Sequence, residues 1–294
     1  GSAPLVTFTG ALVGVLNGVL SAVLMIGSLP FLETAFGITS AVRLLELSDP
    51  NQPLLRRLML EAPGTYHHSI LVANLAEAAA DAVGANSLLA RVGAYYHDIG
   101  KLKRPYFFIE NLLTQENPHD KLTPSLSTLI ITSHVKDGLE LAQEYKLPQI
   151  IIDIIGQHHG SGLISYFYHK ALETNRFGEK ISEDDFRYET PKPQTREAAI
   201  VMLADSVEAG ARALQKSTPG RLEALARRVI REKLEDGQLE ACDLNFRDLN
   251  IIAQAFIRVL SGIFHARVEY PESMVKELER RKNKDAAVRA KPAG

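Results

Sequence analysis

Eight residues have types that together could hold metal ions: His67, His68, His97, Asp98, His134, His158, His159 and Asp205. They occur in short strings, "YHHS", "YYHDIGK", "SHVKDG", "QHHG" and "LADSVEA". Any one of these strings is unremarkable, because histidine serves many structural purposes. The set is different, because it recurs in order at or near the ends of successive helical stretches. Neutral imidazole and carboxylate are the ligands of a divalent first-row metal, and helical bundles build such sites from facing helices. Asp205 lies in an apolar stretch, where an unpaired carboxylate is costly. Lys101, three residues after Asp98, is placed to touch a phosphate or a metal-bound oxygen.

The elements that must position these residues read as helix after helix. Thr65 is the expected cap of a helix closed by Gly84, with His67-His68 in its first turn. Ser87 starts the next, which is expected to end near Gly100 and to carry His97-Asp98 in its last turn. Thr123-Pro124 opens the helix of His134, with proline at a tolerated first-turn position. Pro148 opens the segment ending at His158-His159, and "IIIDII" within it is too short for periodicity to separate helix from strand. Thr195 opens the helix of Asp205, Glu208 and Arg212. An amphipathic segment from about Phe246 to Val268 completes an all-α reading. Residues 173–194 read as a charged loop. His119, His169 and His265 have no place in the pattern and are assigned structural roles.

From Gly1 to Leu32 the chain carries no charge, and "GALVGVLNGVLSAVLMIGSL" is apolar enough, and at about 1.5 Å per residue long enough, to cross a hydrocarbon core of about 30 Å. Arg43, Arg56 and Arg57 follow, which favours a cytoplasmic location for the remainder. The leading Gly1-Ser2, without a methionine, reads as a tag remnant on a piece of a longer protein. The formal net charge of −2 gives no sign of a surface for DNA or RNA polymers, and a single cysteine, Cys242, excludes both a disulfide framework and a cysteine-based zinc site.

The five strings, with "EAPGTYHHS" and "PKPQTREAAIVMLADSVEA", resemble the HD superfamily of metal-dependent phosphohydrolases. The resemblance is nearest to the seven-transmembrane-receptor HD branch, whose cytoplasmic HD domains include cyclic-di-AMP phosphodiesterases, and it covers most of the chain. It implies an all-α HD-domain helical bundle (residues 49–272) after an apolar transmembrane helix (1–33) and a connector (34–48), with a charged tail (273–294). It implies two divalent metal ions, iron or manganese. One is held by His68, His97, Asp98 and Asp205. The other is held by His134, His158, His159 and the second oxygen of a bridging Asp98. The family pattern, not the residues themselves, selects His68 over His67. Two metals about 3.5–4 Å apart can activate a shared water for in-line attack on a phosphodiester. The implied reaction is hydrolysis of cyclic-di-AMP to linear pApA at the inner membrane, on the cytoplasmic side, with Asp98 and Lys101 catalytic. Lys101, Arg212 and Tyr188 are the candidate substrate contacts, although Arg212 also suits an i,i+4 pair with Glu208 and Tyr188 could instead pin the charged loop. Alternatives are a cyclic-di-GMP phosphodiesterase, which the absence of Gly-Tyr-Pro after His158-His159 disfavours, a single-metal nucleotidase, a di-iron oxygenase, and a non-catalytic nucleotide sensor. Any sensory portion would lie upstream of Gly1.

Overall fold

The computed structural model describes residues 3–112, 116–175, 180–214 and 218–263. Among the described residues every regular element is helical, and the only extended pairing is an isolated antiparallel bridge between Leu163 and Arg187. In chain order the helices are α1 (Ala3–Phe36), α2 (Ala41–Leu47), α3 (Pro53–Glu61), α4 (Pro63–Ala82), α5 (Ser87–Tyr96), α6 (Pro124–Glu144), α7 (Gln149–Gln157), α8 (Ser165–Thr174), α9 (Arg196–Arg212), α10 (Pro219–Glu235) and α11 (Phe246–Ile263).

The apolar helix α1 contains a stretch, Pro4–Leu29, long and apolar enough to cross a membrane, and none of it is buried within the chain. The globular body begins sooner than the sequence suggests. Leu44 and Leu47 of α2 belong to the main core, as do Leu54, Leu55 and Leu58 of α3, so the residues read as a connector are folded into the body. Hydrogen bonds join this region to its neighbours, among them the following two. The backbone N–H of Ser40 donates to Glu33 Oε1 at 3.0 Å, and the hydroxyl of the fully buried Tyr96 donates to the Leu47 carbonyl at 2.9 Å.

α4 is the central helix, packed against α3, α5, α9 and α11. Its buried Ala73, Ala76, Ala79 and Ala80 present little side-chain bulk, which lets neighbouring helices approach closely. Several expected boundaries move. α4 starts at Pro63, which takes the first-turn position proline tolerates. Thr65 is therefore inside the helix, its hydroxyl donating to Glu110 Oε1 and accepting from Asn111 Nδ2. Asn86, not Ser87, caps α5 by accepting from the Leu89 N–H. α5 ends at Tyr96, and Ile99–Lys103 winds into a 3-10 turn that contains Gly100. "IIIDII" is helical, buried along Ile151, Ile154 and Ile155 against the main core. Thr123 and Thr195 cap α6 and α9 as expected.

α8 and α10 were not anticipated as helices, although α10 buries Leu222, Leu225, Ala226, Val229 and Ile230 at helical spacing. A small second core of Phe167, Ala171 and Phe186 lies beneath residues 184–190. Backbone bonds from Ile164 N to the Phe186 carbonyl and from Tyr188 N to the Gly162 carbonyl pin that part of the charged loop beside α7. The expected end of the last helix at Val268, the tail 273–294 and His265 lie outside the described residues.

Candidate metal centre

The ends of α5 and α7 and one face each of α4, α6 and α9 meet at a single buried point; His134, expected near a helix end, lies in the middle of α6. His68 comes from α4, His97 and Asp98 from the end of α5, His134 from α6, His158 and His159 from the end of α7, and Asp205 from α9. His67, by contrast, is exposed, so burial distinguishes the two neighbours where residue type does not. After His159 the chain must turn sharply. Gly160 does so at φ 54°, where a side chain would collide with Gln238 and Met202.

Side-chain atoms fall into two groups whose members lie within 4.8 Å of one another: His68, His97 and Asp205, and Asp98, His134, His158 and His159. Asp98, a member of the second group, also reaches the first through its other oxygen. Its Oδ2 lies 3.4 Å from His68 Nε2 and 3.2 Å from His97 Nε2. Its Oδ1 lies 3.3 Å from His134 Nε2 and 3.8 Å from His158 Nε2. Asp205 Oδ1 is 3.1 Å from His68 Nε2, and its Oδ2 is 3.8 Å from His159 Nδ1.

The hydrogen bonding around these rings leaves nitrogen lone pairs with no donor. Nδ1 of His97, His134 and His158 each donates to the carbonyl three residues earlier, at Ala94, Ile131 and Ile155. Each ring therefore turns its Nε2 inward, and Nε2 of His134 and His158 face each other at 3.3 Å. His97 Nε2 and Asp98 Oδ1 are buried with no hydrogen-bond partner. Converging acceptors without donors cost free energy unless a cation satisfies them. The residues present thus fit divalent metal ions.

The charge states agree. Burial pushes His158 down to about 3 and also lowers His134 and His159, so these rings are neutral, as ligands must be. Burial alone would raise Asp98. Lys101 and His97 outweigh it and hold the carboxyl well below the usual range. Asp205 is likewise lowered, burial being outweighed chiefly by His68. His68 differs: burial opposes its charge, but Asp205, Asp98 and Glu208 raise it well above an ordinary histidine.

Two further carboxylates lie near the cluster: Glu208, expected only as the partner of Arg212, and Glu110, which no sequence signal marked. Glu208 Oε2 lies 2.6 Å from His68 Nδ1 and accepts from Arg212 Nη2 at 2.7 Å, so the i,i+4 pair also orients a ligand ring. Glu110, in a 3-10 turn, accepts from Lys101 Nζ at 2.8 Å, while the same ammonium lies 2.7 Å from Asp98 Oδ2. Lys101 is accordingly a partly buried ammonium clamped between two carboxylates, which raise it against the effect of burial. Tyr188 is 8% exposed and stacks on His159 at 4.3 Å, so it packs against an imidazole. Arg212 lines a cleft beside His68, Lys101 and Asp205. His119 is buried, its Nε2 bonded to the Phe107 carbonyl at 2.9 Å and its ring against Phe167.

Glu208→Gln is expected to lower metal affinity roughly 10–100-fold, the usual cost of losing an orienting partner. Metal titration of the purified chain reads this directly. Unchanged affinity would mean that Glu208 does not orient His68.

A helical bundle that converges buried imidazoles and carboxylates on one point defines a class of metal-binding domain. The HD domain family model matches residues 65–210. The chain is 56% identical over 265 residues to the cyclic-di-AMP phosphodiesterase PgpH of Bacillus subtilis (strain 168), covering 90% of this chain and 37% of that protein. It is 49% identical over 257 residues to the PgpH of Listeria monocytogenes serotype 1/2a (strain 10403S), covering 87% and 35%. The chain thus spans about a third of the length of these curated relatives. The crystal structure of the L. monocytogenes PgpH HD domain in complex with cyclic-di-AMP matches with a TM-score of 0.70 and 51% identity, covering 74% of this chain and 100% of that one. The chain belongs to the HD family.

Proposed function

We propose that this chain is the catalytic part of a membrane-anchored phosphodiesterase that hydrolyses cyclic-di-AMP to linear pApA. The observation that carries the reading is the Asp98 carboxylate, whose two oxygens face two separate sets of imidazoles. The similarity to PgpH proteins supports the choice of substrate. His68, His97, Asp98 and Asp205 would hold one divalent ion, and His134, His158, His159 and Asp98 the other. Iron or manganese suits this mixture of imidazole and carboxylate. Bound there, two such ions would acidify a water and offset charge on a phosphodiester.

The chain's own groups do the rest. Nδ1–H bonds to backbone carbonyls hold His97, His134 and His158 in the tautomer that points a lone pair inward. Lys101 places a permanent positive charge beside Asp98, where a phosphate oxygen would arrive, and Glu110 fixes that ammonium's position. Burial excludes bulk water and strengthens each of these interactions. The exposed apolar stretch Pro4–Leu29 needs cover from outside the chain, which a bilayer supplies. Arg43, Arg56 and Arg57 after it favour the cytoplasmic side of the inner membrane.

The test is to incubate the manganese- or iron-loaded chain separately with cyclic-di-AMP and cyclic-di-GMP and to resolve the products by chromatography. Conversion of cyclic-di-AMP to pApA is expected to be the faster reaction. Preferential cleavage of cyclic-di-GMP would overturn the substrate, and cleavage of neither would overturn the reaction.

A further inference from the structure

Where α1 meets the globular body, the two enclose a groove of about 840 Å³. One wall is Ile26, Leu29 and Glu33, spaced i, i+3 and i+7 and therefore on one face of α1. The facing wall includes Ile38 and Val42, large apolar residues left 63% and 56% exposed. The turn between α6 and α7 adds Leu147, Pro148 and the exposed Lys146. Ile26 and Leu29 belong to the stretch long and apolar enough to cross a membrane, whereas Leu147 and Pro148 belong to the body. One groove thus joins bilayer depth to the surface of the body. From Leu29 to Glu33 the helix rises about 6 Å, and the headgroup layer on each side of a bilayer is about 5–8 Å thick. A span ending at Leu29 therefore sets the Glu33 end of the groove at headgroup level.

The charges at that end are unequal in what they leave open. Glu33 accepts from the Ser40 N–H, and Arg43 is paired with Glu46 at 2.9 Å. Among the described residues the Lys146 ammonium has no hydrogen-bond or ion-pair partner. Its backbone sits at φ 53°, where glycine would fit without strain, yet the position carries a long cationic side chain.

We propose that this groove is a lipid-docking site, filled by a phospholipid of the bilayer that α1 crosses, with an acyl chain along Ile26, Leu29, Ile38 and Val42 and the phosphate beside Lys146. The inference rests on the membrane reading of α1 and adds that the body, as well as the helix, touches the bilayer. Exposed aliphatic side chains cost free energy in water that contact with hydrocarbon removes. Lysine suits the boundary, because its methylenes can lie on apolar surface while the ammonium reaches a headgroup.

The chain contains no tryptophan, so a single introduced one reports its own surroundings. The full chain is reconstituted in vesicles of dibrominated phosphatidylcholine, whose acyl-chain bromines quench indole within the bilayer, and its emission is compared with that in unbrominated vesicles. Leu16→Trp, in the middle of the apolar stretch, tests the span. Tyr166→Trp, at a 65% exposed position on α8, is the aqueous control. α8 packs on α6 near Ile131, about 22 Å along that helix from Lys146. Val42→Trp is expected to lose most of its emission, as Leu16→Trp does, and Tyr166→Trp to lose none. Ile38→Trp, on the same wall, is expected to repeat the result, so that a folding defect in one variant leaves the other to decide. Adding Lys146→Glu to Val42→Trp is expected to cut the quenching several-fold, and unchanged quenching would overturn the phosphate contact. If Val42→Trp and Ile38→Trp stay unquenched while Leu16→Trp is quenched, the proposal falls and the membrane reading stands. Shielding of the same two indoles from aqueous acrylamide would then assign the groove to a second copy of the chain. An unquenched Leu16→Trp overturns both readings.

Discussion

Asp98→Ala is expected to strip the chain of bound metal and to lower any cyclic-dinucleotide hydrolysis at least about 10³-fold. Asp98 is 1% exposed, and each oxygen faces a different pair of imidazoles, so its loss removes the one group common to both halves of the centre. It also removes one of the two carboxylates around Lys101, leaving the ammonium to Glu110 alone. Breaking a buried charge pair costs about 3–5 kcal/mol when nothing compensates. Glu110 compensates in part, so the helical fold should survive with reduced stability. Metal content by elemental analysis, activity by chromatography and helicity by circular dichroism together check this. Retained metal with retained activity would remove Asp98 from the site.

Gly100→Ala is expected to destabilise the chain by about 3 kcal/mol, from overpacking that cannot relax. The 3-10 turn containing Gly100 lies directly on α6, and an added Cβ would land on the His134 carbonyl and against the Gly138 N–H. Both are backbone atoms within a helix, so no rotamer change relieves the overlap. At about 2–4 °C per kcal/mol for a domain of this size, the melting temperature should fall roughly 6–12 °C. Because Asp98 and Lys101 flank the turn and His134 sits opposite, metal affinity should fall as well. Gly220→Ala, where a Cβ meets nothing within 4 Å, is the control and should leave melting unchanged. Equal melting of the two variants would refute the close-approach argument.

The ligand-type residues were legible in the sequence because imidazoles and carboxylates recur in short strings within or beside apolar runs, although His134 proved to lie in the middle of α6 and not near its end. The all-α class was legible from the same periodicity. Two things were hidden for physical reasons. Glu110 belongs to a 3-10 segment without periodicity, and its partners Lys101 and Thr65 are brought to it only by the fold. The division of Asp98 between two sets of rings was implied only by the family resemblance, because it depends on the orientation of a side chain, which spacing does not encode. α10 is a different case, since Leu222, Leu225, Ala226, Val229 and Ile230 already describe an amphipathic helix. Tyr188 lies among the ligand rings because the Tyr188 N–H bonds to Gly162, a pairing between residues far apart in sequence.

The hydrogen bond from Tyr96 to Leu47 ties the end of the chain that carries the apolar helix to the end of α5 beside the ligand-type residues. Tyr96 adjoins His97, Leu47 ends α2, and α2 follows α1 after a short link in which the Ser40 N–H is held by Glu33. Sliding α2 away would break a bond worth about 1 kcal/mol. It would also draw Leu44 and Leu47 out of the core, at about 2 kcal/mol each. Small displacements of the apolar helix are therefore absorbed in the link or carried whole to the residue beside His97, and the short helix between them acts as a stiff strut.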